Sequence, residues 1–253
     1  MFKRHAFVLV GTTVCLVLAG CSIDPTVEHA PAVTQAPGPP SASQREESPP
    51  SSVPLPSPGT AGEIPNTVRL RELALQSGEA PGVPSSGVGI RDVHPGELKP
   101  LPETQPPAPC TLMWGLIGQR GAQAAITQTF DTTEPGNPTV TFLSSYSGTG
   151  ATTTFARLRS AVAACPSDGS ENRKATIRSQ DLDKAGFPAD TLRIQITVST
   201  EGSDEPAEVM ERIVARVGVC IVDMSGAGPE PYPGLSEEPV LRQIQRLQAA
   251  QDL

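Results

Sequence analysis

The stretch Thr191-Leu192-Arg193-Ile194-Gln195-Ile196-Thr197-Val198 decides how this chain folds. Leu192, Ile194, Ile196 and Val198 alternate with Thr191, Arg193, Gln195 and Thr197. A period of two puts the first set on one face of a pleated strand and the second on the other. Such half-buried strands are typical of antiparallel sheets. Working outward, Lys174–Gln180 reads as a weaker strand before it, and Glu201-Gly202-Ser203-Asp204 as the turn after it. The run from Ile213 to Val222 is apolar on both faces except at Arg216, which predicts one central strand covered on both sides.

Upstream, Ala124, Ile126 and Phe130 share one face of Gln123–Phe130, and Val140, Phe142 and Tyr146 share one face of Thr139–Tyr146. Between them Glu134-Pro135-Gly136-Asn137-Pro138 is a turn or loop, so the pair predicts a β-hairpin. Val88 and Ile90 alternate with glycines, as in a weak edge strand, and residues 95–109 read as a proline-rich loop.

Three stretches change period. Phe155, Leu158, Val162 and Cys165 fall at helical spacing with Arg157 and Arg159 off the stripe, and Pro166 and Asp168-Gly169 end that helix. Val68, Leu70, Leu73 and Leu75 predict a short helix stopped by Ser77-Gly78 and Pro81-Gly82. Ser236 is placed to cap a last helix, with Glu237 and Glu238 suiting its dipole and Val240, Leu241, Ile244 and Leu247 as its apolar stripe. The expectation is an α+β domain over residues 66–253, a single antiparallel sheet packed by two or three helices. At about 190 residues it is long enough for a sizeable core.

The N-terminus fixes a location. Lys3 and Arg4 precede an apolar stretch from Ala6 to Leu18, then Leu18-Ala19-Gly20-Cys21. Charged head, short apolar core and small residues make residues 1–20 a secretory signal peptide. The tetrapeptide matches the bacterial lipobox, whose cysteine is acylated before cleavage. A spanning helix would need about 20 apolar residues. An ordinary secretion signal with an accidental cysteine is the remaining alternative. Cys21 is therefore the expected lipidation site and first residue of the mature chain, held at the extracytoplasmic face of the cell membrane. Residues 21–65 form a Pro-rich tether, with eleven prolines from residue 23 onward and no apolar period. Such a tract cannot bury enough surface to offset its ordering entropy, so it is expected to be disordered. In polyproline geometry it reaches on the order of 100 Å.

Formal net charge is −8, and cleavage removes Lys3 and Arg4 with no acid, leaving about −10. No basic stripe is visible, which excludes nucleic acid as a partner. The membrane partner is reached through the lipid, not through a polybasic patch.

Of five cysteines, Cys15 leaves with the signal and Cys21 is acylated. Cys110, Cys165 and Cys220 remain in a space that permits disulfides. Cys220 sits inside Val217-Gly218-Val219-Cys220-Ile221-Val222 and reads as a small buried hydrophobe; a redox-active thiol is the sharper alternative. Cys110 and Cys165 lie at element boundaries and are the expected disulfide.

Catalytic signatures are missing. His94 is the lone histidine of the domain, which excludes a multi-histidine zinc site there, and no metal or cofactor is expected. There is no G-x-S-x-G, H-E-x-x-H or S-x-x-K. Gly148-Thr149-Gly150 reads as a turn between strand and helix, too short for a phosphate loop. Asp181 and Asp183, and the group Asp204, Glu205, Glu208 and Glu211, read as solvated loop acids. Arg193 and Arg216 project from strands predicted to be neighbours, where they could face one another and take acids or an anionic ligand.

The layout resembles a known family. Its marks are the lipobox and tether, Leu70-Arg71-Glu72-Leu73-Ala74-Leu75, a cysteine before a hairpin, the Phe-x-x-Leu-x-x-x-Val-x-x-Cys helix at Phe155–Cys165, Arg216-Val217-Gly218, and a last helix with Gln243 and Arg246-Leu247. Over roughly residues 66 to 253 it resembles actinobacterial surface lipoproteins whose domain is similar to the extracellular sensor domain of the mycobacterial protein kinase H type. The resemblance implies an antiparallel sheet packed with helices, stabilised by disulfides, with a ligand-binding cleft. Complete members carry two disulfides; this chain has cysteines for one. No functional residue of the family maps onto a position here. The expectation is a non-catalytic, sensor-like domain outside the membrane that binds an envelope ligand or partner protein. A carrier of lipid or another hydrophobic ligand is the alternative. A cell-wall hydrolase would need two carboxylates about 5–10 Å apart in a groove.

Overall fold

The computed structural model describes residues 63–79, 83, 87–100, 107–130 and 138–251. The expected signal peptide, Cys21 and all of the tether before residue 63 lie outside the described residues, as do Pro81-Gly82 and the Glu134–Asn137 turn. Among the described residues, helices α1 (Thr67–Leu73), α2 (Pro109–Ile117), α3 (Gly150–Ala163) and α4 (Glu237–Ala250) are interleaved with eight strands. The strands are β1 (Val88–Asp92), β2 (Ala124–Phe130), β3 (Thr139–Ser145), β4 (Ser167–Gly169), β5 (Arg173–Asp181), β6 (Thr191–Thr200), β7 (Glu208–Val217) and β8 (Cys220–Pro229). No helix among these residues is long and apolar enough to cross a membrane.

All the strands belong to one antiparallel sheet of order β1-β2-β3-β8-β7-β6-β5-β4. The fold is α+β, as expected, with two meanders: β1 to β3 form one, β4 to β8 the other, and the β3–β8 ladder joins them. Helices cover both faces. On one, α1 and α4 pack over Ile126, Leu143, Ile213, Ala215, Val222 and Met224. On the other, α2 and α3 pack over Ala125, Leu192, Ile194, Ile196, Val214 and Ile221.

The β6 alternation holds: Leu192, Ile194 and Ile196 are buried against α2 and α3, while Gln195 is exposed. The run Ile213–Val222 is not a single strand. It is the closed end of the β7–β8 hairpin, with Val217 opposite Cys220 and only Gly218-Val219 between them. Gly218 takes φ +55°, a conformation that glycine adopts without the Cβ clash. Both strands are covered on both faces, so the continuous apolar character was real but belonged to two neighbouring strands.

Helix α2 replaces the end of the predicted loop 95–109 and extends beyond it. Pro109 starts it at a position where its missing N–H costs nothing, and Gln119, at φ +62°, follows its end. Helix α3 ends at Ala163 with Ala164 as its C-cap, earlier than expected, and Asp168-Gly169 belongs to β4 instead. Ser236 occupies the N-cap of α4 without a capping side-chain bond, whereas Asn66 does cap α1 by accepting from the Arg69 N–H at 3.0 Å. Buried polar side chains tie α1 to α4. Gln243 donates to the Leu73 carbonyl at 2.8 Å and accepts from the Leu75 N–H at 3.2 Å, and Arg246 pairs with Glu79.

Candidate functional site

A cleft of about 440 Å³ opens on the α2/α3 face, at the end of the sheet where β4 to β7 terminate. Its floor follows from register. Ala175 pairs with Val198, and Ile196 with Met210, so these four side chains stand on one face across three strands. Trp114 of α2 and Asp168-Gly169 of β4 form its wall, and Arg173 and Glu208 stand at its mouth.

The wall is built by the disulfide. Cys110 and Cys165 are bonded, as expected, with their Cα atoms 5.1 Å apart. Trp114 lies one helical turn after Cys110 and Asp168 three residues after Cys165, so the bond brings both into one place. The indole Nε1 donates to Asp168 Oδ2 at 2.8 Å, and Asp168 Oδ1 accepts the Gly169 N–H at 2.9 Å. Gly169 takes φ +130°, and a Cβ there would run into the Arg173 carbonyl. Arg173 reaches Glu208 at 3.5 Å across the mouth. Trp114 is 38% exposed, one of two large apolar side chains left open to solvent among the described residues.

A buried ion pair adjoins the floor. Arg212 grips Asp223 through Nε–Oδ1 at 3.1 Å and Nη2–Oδ2 at 2.7 Å, beside Met210 and over the Phe142 ring at 5.7 Å. Burial pushes the Asp223 carboxyl up from its ordinary value and Arg212 opposes that shift. The nearby Tyr146 hydroxyl is pushed up to about 12, also by burial.

Several sequence-predicted residues separate. Arg193 and Arg216 lie on adjacent strands but on opposite faces, because Arg193 pairs with Ile213 and Arg216 with Ile221. Arg193 binds Glu211 at 2.7 Å and Glu237 at 2.6 Å; Arg216 binds Asp190 at 2.6 Å. Glu211 is not a loop acid: it is buried on β7 and also accepts the Leu235 N–H. Glu208 is likewise on a strand, and it shares the cleft with Asp168. Asp181 pairs with Arg159 at 3.0 Å away from the cleft. Exposed His94 accepts from the Gly96 N–H through Nδ1. Cys220 is free and buried, its thiol pushed up to about 12 by desolvation, which suits the buried-hydrophobe reading and not a reactive thiol. Among the described residues no three His, Cys, Asp or Glu side chains are placed to hold a metal.

The cleft was not visible in the sequence, since its lining comes from four separated segments. The one local hint was Trp114, a single tryptophan in an aromatic-poor chain.

Sheet, helices and cleft together define an α+β domain with a preformed concave site. Among solved structures, the chain is similar to the extracellular domain of PknH from Mycobacterium tuberculosis, with 12% identity over 76% of this chain and 97% of that one, at a TM-score of 0.43. It is also similar to an uncharacterized protein of Mycobacterium smegmatis, the Rv0999 ortholog, with 14% identity over 65% of this chain and 87% of that one, at a TM-score of 0.31. No family model and no curated protein matches the chain.

Proposed function

We propose that this is a lipid-anchored, extracytoplasmic binding domain of sensor-like type, which takes its ligand in the Trp114 cleft without catalysis. The observation that carries this reading is the cleft itself: a preformed concavity with an apolar floor, an aromatic wall and a few fixed polar groups is the usual form of a ligand site. Asp168 and Glu208 share it, yet each already has a donor, the Trp114 indole and Gly169 N–H on one and Arg173 on the other. That arrangement suits positioning more than proton transfer. The lipobox and tether supply the location.

Native mass spectrometry of the full chain isolated from its own envelope tests this. An added mass that disappears in Trp114→Ala supports the reading. A mass equal to the acylated chain alone, with Trp114 emission unmoved by envelope extracts, counts against it. The apolar floor keeps a hydrophobic-ligand carrier as the second reading; copurifying lipid would favour it.

A further inference from the structure

We propose that the cleft selects a small ligand carrying an ammonium group beside an apolar body. This rests on the cleft being the binding site and adds the class of ligand. Two turns meet at its mouth: the β4–β5 turn and the β6–β7 turn, joined by the Glu201 N–H donating to the Asn172 carbonyl at 3.0 Å. The first segment, residues 168–174, carries Asp168, Glu171, Arg173 and Lys174; the second, residues 201–208, carries Glu201, Asp204, Glu205 and Glu208.

Of these, Asp168, Arg173 and Glu208 line the cleft, and Arg173 is engaged by Glu208 at 3.5 Å. Lys174, opposite Ser199 on β6, stands on the other face of the sheet and pairs with Glu201 at 3.5 Å. The lining thus sets two carboxylates against one guanidinium beside an aliphatic floor and one indole, with Glu171, Asp204 and Glu205 on the adjoining turns. Tryptophan is the aromatic side chain that attracts a cation most strongly, and its Nε1 is already committed to Asp168, which fixes the ring as a wall. An anionic ligand would meet repulsion at the mouth. A neutral one would gain from the floor but nothing from the acids. An ammonium on an apolar body uses the floor, the ring and the rim together.

The test is a fluorescence titration of the full chain with three probes of one shape: 3-phenylpropylammonium, 3-phenylpropanol and 3-phenylpropionate. Trp114 is the chain's only tryptophan, so its emission reports the cleft directly. The ammonium should bind about tenfold more tightly than the alcohol, with the carboxylate weakest. Its advantage should shrink with added salt, since surface charges are screened within about 8 Å at physiological ionic strength. It should shrink also in Asp204→Asn/Glu205→Gln, two exposed turn positions whose change leaves the floor and Trp114 intact. An alcohol that binds as well as the ammonium overturns the charge selection and leaves the cleft reading standing. Emission unmoved by all three at millimolar concentration overturns both.

Discussion

Trp114 and Asp168 are held together twice, by the 2.8 Å bond from indole Nε1 to Oδ2 and by the Cys110–Cys165 disulfide a few residues before each. The first link orients the ring. The second fixes the helix and strand that carry the pair. The two can be cut separately.

Trp114→Phe keeps a ring but removes the donor. The loss should cost about 0.5–1 kcal/mol, because the residue is partly exposed and water can replace the bond. Urea unfolding followed by circular dichroism measures it, and a cost above about 2 kcal/mol would show that the indole supports more than the wall.

Replacing both disulfide cysteines by serine should do more. The bond joins positions separated by 55 residues, a span for which chain entropy predicts roughly 4 kcal/mol of stabilisation, less any native strain. The urea midpoint should fall, and native Trp114 emission should shift to longer wavelength as the wall loosens. Unchanged emission would mean that α2 packing alone holds the indole.

Cys220 gives a pH prediction. Its thiol has an ordinary value of 9.0 and is pushed up to about 12 in the fold by desolvation. Below pH 9 both states keep the proton and stability is flat. From pH 9 to 12 the unfolded chain loses it and the folded chain does not, so stability falls as pH rises. Tyr146, moving from 10.0 to about 12, adds a second decline that begins one unit later. In Cys220→Ala the decline should start near pH 10 instead of pH 9. A thiol reagent should find Cys220 only after denaturant is added; rapid reaction with the native protein would refute its burial.

The Arg212–Asp223 pair should show strong coupling. Arg212→Met alone leaves a buried carboxylate without its partner, at about 3–5 kcal/mol. Arg212→Met with Asp223→Leu removes both charges and should recover most of that loss. A double-variant cycle on urea midpoints measures the coupling, and additive losses would contradict the pairing.

These residues also show what sequence pattern can and cannot carry. The β6 alternation and the α3 stripe were legible because one side of each meets a core and the other meets water. Helix α2 was not: Leu112, Met113, Trp114, Leu116 and Ile117 leave almost no polar face to mark its period, and prolines crowd its start. The β7–β8 hairpin was hidden because both strands are apolar on both faces, and only Gly218 marked the turn. Cys110 and Cys165 could be paired by elimination. The ion pair Arg212–Asp223 and the cleft depend on register between strands, which no local window contains.

The position of the disulfide also bears on how the two meanders stay joined. The β3–β8 ladder, which unites the two meanders, pairs residues such as Val140 and Ser225 that are far apart in sequence. Closing so distant a contact carries a large entropic cost and slows folding. Cys110 belongs to the first meander's side of the chain and Cys165 to the second's, so their bond ties the halves together independently of that ladder. The cross-link and the central seam therefore hold the same two halves at different places, and loosening one leaves the other to keep them in one sheet.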